Sequence, residues 1–192
     1  TGLSVAAHSF TAKALYGSEQ SSAARTLTVT QRIITENFDN VTDVKFSPGD
    51  VRRVGIMRAY FESGTGNIYR TMGVTGIPHT YPPGPVQGKR LYIQNANQGN
   101  SISPFSFMLN LDSRSIFQRV DFAYIFTINF TQSGSVRAEF YNSQGGLLGG
   151  INLNPVHFLH QQVSFTASNI AEIRISGTLG NTLSVDDFKF YL

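Results

Sequence analysis

Alternating apolar and polar positions recur along most of the chain, and they predict β-strands. The clearest run covers 120–131, where an aromatic or apolar residue occupies every second position from Phe122 to Phe130. A period of two places such residues on one face of a strand. The same pattern predicts further strands at 26–30, 41–46, 54–62, 90–94, 105–111, 136–141, 157–165, 170–176 and 183–192.

Turn-forming residues separate these runs. Ser47-Pro48-Gly49-Asp50 predicts a turn, and Ser143-Gln144-Gly145-Gly146 predicts a hairpin. The segment 63–88 is so rich in glycine and proline that we expect a long loop there. Many short strands without a helical pattern predict an all-β protein, an antiparallel β-sandwich of the jelly-roll type. We expect one domain at 26–192, preceded by an N-terminal arm or first strand at 1–25.

The composition narrows the classes of function. Charged residues make up only 14% of the chain, against about 25% in an average globular protein. The net charge is only +3, and no run of basic residues is longer than two. Both observations argue against a nucleic-acid partner. The absence of cysteine excludes disulfides and thiolate metal sites, and no apolar run reaches the roughly 20 residues of a membrane span. We expect a secreted or cell-surface protein, bacterial in origin, and the start at Thr1 suits a processed or excised fragment.

Three short segments resemble a known family. Residues 36–40 read Glu-Asn-Phe-Asp-Asn, residues 88–93 read Gly-Lys-Arg-Leu-Tyr-Ile, and residues 184–190 read Ser-Val-Asp-Asp-Phe-Lys-Phe. Their order and spacing resemble those of galactose-binding-like β-jelly-rolls, including many bacterial carbohydrate-binding modules. The resemblance covers about residues 30–192 and implies a jelly-roll that binds carbohydrate.

The resemblance also implies a structural calcium site that joins the two ends of the domain. Its implied ligands are Glu36 and Asp186, with Asp39 as a further candidate. Asp186 shares strand parity with Phe188 and Phe190, so the alternation predicts that its carboxylate points inward. Calcium prefers such oxygen ligands. The alternative is that Asp186 lies at an exposed turn before the last strand.

Loop tyrosines that lie beside amide and arginine side chains are suited to binding sugars. Sugar rings stack on aromatic rings, and sugar hydroxyls form hydrogen bonds with amide and arginine groups. The candidate ligand-binding residues are Tyr69, His79, Tyr81, Arg90, Asn95, Asn97, Tyr141 and Asn142. The predicted function is a non-catalytic, lectin-like module whose partner is a glycan or a cell-surface carbohydrate.

Two alternatives remain open on the sequence. A structural or assembly jelly-roll, such as a capsid, fibre or adhesin subunit, would associate with further copies of itself. A glycan-cleaving enzyme would need two convergent carboxylates. Glu62, Glu139 and Glu172 fall on predicted strands and could line one sheet face, although the sequence does not show that they converge.

Overall fold

The computed structural model describes residues 6–11, 23–63, 70–76, 84–86, 88–95, 103–111, 116–127, 135–156, 158–179 and 182–192. The chain divides into two compact units, Thr1–Arg32 and Ile33–Leu192. In the first unit, β1 (Ala7–Phe10) pairs antiparallel with β2 (Arg25–Thr28). The predicted strand at 26–30 therefore exists as β2, and all four residues of β2 are exposed.

The second unit is an antiparallel β-sandwich, as the sequence predicted. Its strands in chain order are β3 (Ile33–Glu36), β4 (Val44–Phe46), β5 (Val51–Val54), β6 (Met57–Ser63), β7 (Arg70–Gly76), β8 (Lys89–Asn95), β9 (Ser103–Leu111), β10 (Phe117–Thr127), β11 (Val136–Tyr141), β12 (Leu147–Leu153), β13 (Gln161–Ile170), β14 (Glu172–Leu179) and β15 (Thr182–Tyr191). Sheet I has the order β13-β10-β15-β8-β7-β4, with β3 also paired to β15. Sheet II has the order β12-β11-β14-β9-β6-β5. The chain passes repeatedly from one sheet to the other, as in a jelly roll.

Among the expected elements that differ from the structure, two differ because of glycine residues. The predicted strand 54–62 is broken by a turn at Gly55 and Ile56, which makes β5 and β6 the two arms of a hairpin. Gly55 has a φ of +59°, a conformation that glycine adopts without steric cost. The expected long loop 63–88 contains β7, which pairs with both β4 and β8. Gly73 and Gly76 interrupt the apolar pattern of β7 and conceal it in the sequence.

Aromatic side chains fill the core between the two sheets. Phe122 of β10 stacks on Phe188 of β15 at 5.0 Å between ring centroids, and both are buried. Phe140 of β11 stacks on Phe165 of β13 at 4.0 Å, which joins sheet II to sheet I. The predicted inward face of β10 is confirmed by the burial of Phe122, Tyr124 and Phe126. Burial of such rings supplies the main driving force for folding.

A β-bulge in β15 decides which side chains face this core. Ala123 pairs with Asp186 and Asp121 pairs with Lys189, so Phe122 faces two residues of β15. Asp187 is the extra residue of the bulge, and its φ is +49°. Because the bulge shifts the alternation, Asp186 lies on the opposite face of the sheet from Phe188. The predicted inward direction of Asp186 is therefore wrong, although the residue is buried, with 2% of its surface exposed.

The outer side of sheet I is partly covered. Val86 forms a buried cluster with Ala123 and Ile125 on this side of β10. The backbone N–H of Val86 donates to Nδ1 of His160 at 3.3 Å, which fastens residues 84–86 to the start of β13. Arg90, which lies on the same side of sheet I, is also buried.

Glu36 ties the edge of sheet I to the β5–β6 turn of sheet II. Its Oε1 accepts a hydrogen bond from the N–H of Phe38 at 2.8 Å, and its Oε2 accepts one from Ile56 at 2.9 Å. A Cβ atom on Gly55 would collide with the Glu36 carboxylate. The turn therefore needs glycine both for its backbone conformation and for the space that the carboxylate occupies.

We expect Gly55→Ala to destabilise the protein more than Gly145→Ala does. Both glycines have positive φ, and alanine costs roughly 1–2 kcal/mol there. Only at Gly55 does the added Cβ also displace the Glu36 carboxylate, since nothing lies within 4 Å of a Cβ at Gly145. Leaving the Ile56 N–H unsatisfied adds about 1–3 kcal/mol. Urea unfolding of the two variants measures the difference, and equal losses would contradict the role given to Glu36.

Candidate functional site

The outer face of sheet II carries an ordered set of polar and aromatic side chains. On β11, the buried residues Val136, Ala138 and Phe140 alternate with half-buried Arg137, Glu139 and Tyr141, which point away from the core. Strand register aligns these outward positions into rows across the sheet. One row contains Tyr60, Met108, Arg174 and Glu139, and a second contains Ser106, Ser176, Arg137 and Asn152. We call this surface the outer face of sheet II.

Arg174 lies at the centre of this face and is held by several neighbours. Its Nη2 is 3.3 Å from Oε1 of Glu172 and 3.7 Å from Oε1 of Glu62. The same Nη2 donates to Sδ of Met108 at 3.0 Å. The guanidinium also lies over the ring of Tyr141, 5.0 Å from its centroid. These contacts fix the orientation of Arg174.

Tyr141 and Arg137 are held in place by Glu139. The hydroxyl of Tyr141 donates to Oε2 of Glu139 at 2.7 Å, and Nε of Arg137 donates to Oε1 at 3.3 Å. The hydrogen bond to Glu139, followed by burial and the negative charge of Glu139, raises the pKa of Tyr141 above its usual value. The hydrogen bond to Glu139 therefore holds the ring of Tyr141 in place on the surface of the sheet.

The three glutamates that a glycan-cleaving enzyme could use all lie on the outer face of sheet II. Glu62 accepts a hydrogen bond from Ser106 Oγ at 2.5 Å and lies near Arg174. Glu172 pairs with Arg174, and Glu139 binds Arg137 and Tyr141. Each carboxylate is thus already engaged by a neighbouring side chain.

An open groove of about 600 Å³ lies at the end of β11 on sheet II. It is lined by Ser135, Val136, Arg137, Asn152, Leu153, Asn154, Pro155, Ser176 and Gly177. Of the lining residues that the structure describes, Arg137 alone is charged. Because Arg137 also belongs to the outer face of sheet II, the groove is continuous with that face.

The structure places the sequence-predicted ligand residues at different positions. Tyr141 lies on the outer face of sheet II. Asn142 shapes the β11–β12 turn, where its Oδ1 accepts hydrogen bonds from the N–H groups of Gln144 and Gly146. Arg90 is buried, and Asn95 is the last residue of β8. Tyr69, His79, Tyr81 and Asn97 lie outside the described residues.

The predicted calcium ligands hold the backbone around the junction of β3, β8 and β15. Glu36 accepts the two amide hydrogen bonds described above, and Asp39 Oδ1 accepts one from the N–H of Lys89 at 3.1 Å. Asp186 Oδ1 accepts the N–H of Asp187 at 2.8 Å. Within the described part of the chain, no three His, Cys, Asp or Glu residues are grouped closely enough to hold a metal ion. Calcium at this junction stays a prediction.

Sequence reasoning did not single out Tyr60, Met108, Arg137 and Arg174 as site residues. The alternation Met57-Arg58-Ala59-Tyr60-Phe61-Glu62 places Tyr60 and Glu62 on the outward side of β6. This alternation can be recognised in the sequence if β6 is taken to begin after the Gly55 turn. Arg174 has no comparable signal, because its importance comes from neighbours on β6, β9 and β11 that are distant in sequence.

Comparison with known proteins supports the fold. No family model matches the sequence, and no curated protein sequence matches it. The K1 cleaved adhesin domain of Lys-gingipain from Porphyromonas gingivalis W83 is 8% identical, with a TM-score of 0.55 over 83% of this chain and 97% of that domain. This similarity shows a shared β-sandwich fold.

Two further structures align less closely. TmCBM61, solved with β-1,4-galactotriose, is 13% identical, with a TM-score of 0.46 over 72% of this chain and 88% of that chain. The arabinose-bound α-L-arabinofuranosidase MgGH51 is 14% identical, with a TM-score of 0.48 over 81% of this chain but only 25% of the enzyme. TM-scores of this size do not establish a shared fold.

In the described residues, no helix is long and apolar enough to cross a bilayer.

The raised pKa of Tyr141 predicts a dependence of stability on alkaline pH. A group whose pKa is higher in the folded protein contributes stability that is fully present below its unfolded pKa. For Tyr141 this contribution is present below pH 10.0 and is lost as the pH rises through its raised pKa. We expect wild type to lose more free energy of unfolding above pH 10.0 than Tyr141→Phe does. Urea unfolding at a series of pH values measures this, and parallel curves for the two proteins would count against it.

Proposed function

We propose that the second unit is a non-catalytic module that binds carbohydrate on the outer face of sheet II. The observation that carries the proposal is the arrangement around Arg174, where fixed donors and acceptors lie beside the ring of Tyr141 on an open sheet surface. Tyr60 lies on the same face, in the row that contains Arg174. Export to the cell surface is part of this proposal.

The chemistry of the face suits a sugar chain. A tyrosine ring can stack on the C–H face of a sugar, while arginine, glutamate and amide groups bind its hydroxyls. Because Arg174, Tyr141 and Glu139 already hold one another, little side-chain freedom is lost when a ligand binds. Tyr60 on β6 and Tyr141 on β11 are three strand spacings apart, about 14 Å across the sheet. This distance suits a short oligosaccharide better than a single sugar.

The same contacts favour binding over cleavage. A glycosidase needs one carboxyl group that donates a proton and a second that acts as base or nucleophile. Glu62, Glu139 and Glu172 are instead committed to hydrogen bonds or ion pairs with Ser106, Tyr141 and the two arginines. Their arrangement holds the basic side chains in place. We therefore propose that replacing Glu139 alters glycan binding, and that the protein has no hydrolytic activity for this replacement to remove.

The opposite sheet offers a matched control for the binding site. Tyr191 lies half-buried on sheet I, its hydroxyl donates to Asp121 Oδ2 at 2.8 Å, and the Arg119 guanidinium lies 4.8 Å from its ring centroid. This local arrangement repeats that of Tyr141, Glu139 and Arg174 on sheet II. The two tyrosines therefore differ mainly in the sheet to which they belong.

We expect wild type to bind one class of oligosaccharide on a glycan array, and Tyr141→Ala to weaken that binding by about tenfold or more. Tyr191→Ala should keep the wild-type affinity, because it lies on sheet I. Calorimetric titration with the best array ligand measures both variants. A folded protein that binds no glycan would contradict the proposal and favour the assembly alternative. Equal weakening by both variants would contradict the assignment to sheet II.

Calcium at Glu36, Asp39 and Asp186 is a separate part of the proposal, in which the ion stiffens the junction of β3, β8 and β15 without contacting the glycan. We expect calcium to raise the thermal unfolding temperature relative to EDTA, and Asp186→Asn to abolish that increase. Asp187→Asn is the matched control, because Asp187 is adjacent and forms an ion pair with Lys189 at 3.0 Å. An unfolding temperature that is the same in calcium and EDTA would show that this prediction is wrong.

A further inference from the structure

The groove at the end of β11 has a chemical character of its own. Among the described residues that line it, Arg137 is the only charged one, and its Nε lies 3.3 Å from Oε1 of Glu139 on the adjoining face. Strand register places Asn152 and Ser176 on either side of Arg137, directly opposite it on β12 and β14. Side chains paired in this way are close neighbours on one face of the sheet. The lining therefore presents a cation flanked by an amide and a hydroxyl.

Arg137 is oriented so that part of its guanidinium remains available. Its Nε donates to Glu139, and its Nη1 donates to Asn152 Oδ1 at 2.9 Å. Among the described residues, Nη2 has no hydrogen-bond partner. A Cβ on Gly150 would lie 2.8 Å from both Nε and Nη2, so the guanidinium rests against the backbone of β12. Glycine at this position lets the charged group lie flat along the sheet.

Asn152 and Ser176 complete a set of donors. Because Asn152 Oδ1 accepts the hydrogen bond from Arg137, its Nδ2 is the group left to donate. The Ser176 hydroxyl can donate or accept. An anion that enters the groove beside Arg137 would have the Asn152 side chain on one side and the Ser176 hydroxyl on the other. Charge-assisted hydrogen bonds of this kind are stronger than those between neutral groups.

We infer that the groove binds an oxyanion, a carboxylate or a sulfate, carried by one sugar of the bound glycan. This inference rests on the proposed function and deepens it, since it selects acidic glycans over neutral ones. The groove shares Arg137 with the outer face of sheet II, so one chain can lie across Tyr141 and place its acidic group in the groove.

The test compares acidic oligosaccharides with their neutral counterparts. The carboxylate arm uses oligogalacturonate and its carboxyl-reduced form, and the sulfate arm uses a sulfated galactan oligosaccharide and its desulfated form. We expect one acidic form to bind about tenfold or more tightly than its neutral counterpart. The arm that shows this preference identifies the oxyanion.

Arg137→Gln should remove the preference for the acidic form, while Arg119→Gln should retain it. Both changes lower the net charge equally, and the two arginine side chains are similarly exposed, at 42% and 45%. Asn152→Asp is a second test, because it places a carboxylate beside Arg137 and should also remove the preference. Circular dichroism and thermal unfolding establish that each variant is folded.

The outcomes separate the inference from the proposed function. Equal affinity for acidic and neutral forms, or equal effects of Arg137→Gln and Arg119→Gln, would overturn the inference. If Tyr141→Ala still weakened neutral binding in that case, the proposed function would stand. If wild type bound no oligosaccharide in either arm and none on the glycan array, both would be overturned.

Discussion

The register of β15 is the constraint on which the rest of the second unit depends. This strand pairs with β10 along one edge, and along the other edge it pairs first with β8 and then with β3. The bulge at Asp186 and Asp187 falls between these two partners and turns Phe188 and Phe190 into the core. Without the bulge, Val185 and the two phenylalanine rings would point to opposite faces of the sheet, so that either Val185 or the rings would lie outside the core. The bulge therefore lets one strand fill the core along its whole length.

The two outer faces of the sandwich differ in what covers them. On sheet I, Val86 packs with Ala123 and Ile125, and Arg90 and Asp186 are each only 2% exposed. On sheet II, the row through Tyr60 and Arg174 is only half-buried. Both faces carry a tyrosine that is bound to a carboxylate and lies under an arginine. What distinguishes sheet II is the combination of that arrangement with an adjoining cationic groove, and for this reason we assign binding to it.

Much of the fold follows from the sequence, because a period of two is a local property. The run through Phe122, Tyr124 and Phe126 predicts a core strand, and the Gly145-Gly146 turn predicts the β11–β12 hairpin. Two of the errors occurred where backbone conformation decides the outcome. Positive φ at Gly55 splits one predicted strand into two, and positive φ at Asp187 reverses the predicted direction of Asp186.

The candidate site was harder to predict than the fold. Tyr141 was predicted from the sequence to be a ligand-binding residue, and the structure places it on the outer face of sheet II. Its partners Glu139, Arg174 and Met108 come from three strands whose order in the sheet the sequence does not reveal. Register across β9, β14 and β11 brings them together. A single sequence shows which residues point outward on each strand, whereas their neighbours across the sheet depend on the topology.

The most direct test of the central claim is hydrogen–deuterium exchange of the whole chain with and without the best-binding oligosaccharide. Backbone amides in stable strands exchange slowly, and a ligand adds protection where it binds. We expect added protection in peptides that cover β11, β12 and β14, and unchanged exchange in peptides from β10 and β15. Protection confined to β10, β13 and β15 would contradict the claim that sheet II carries the binding face.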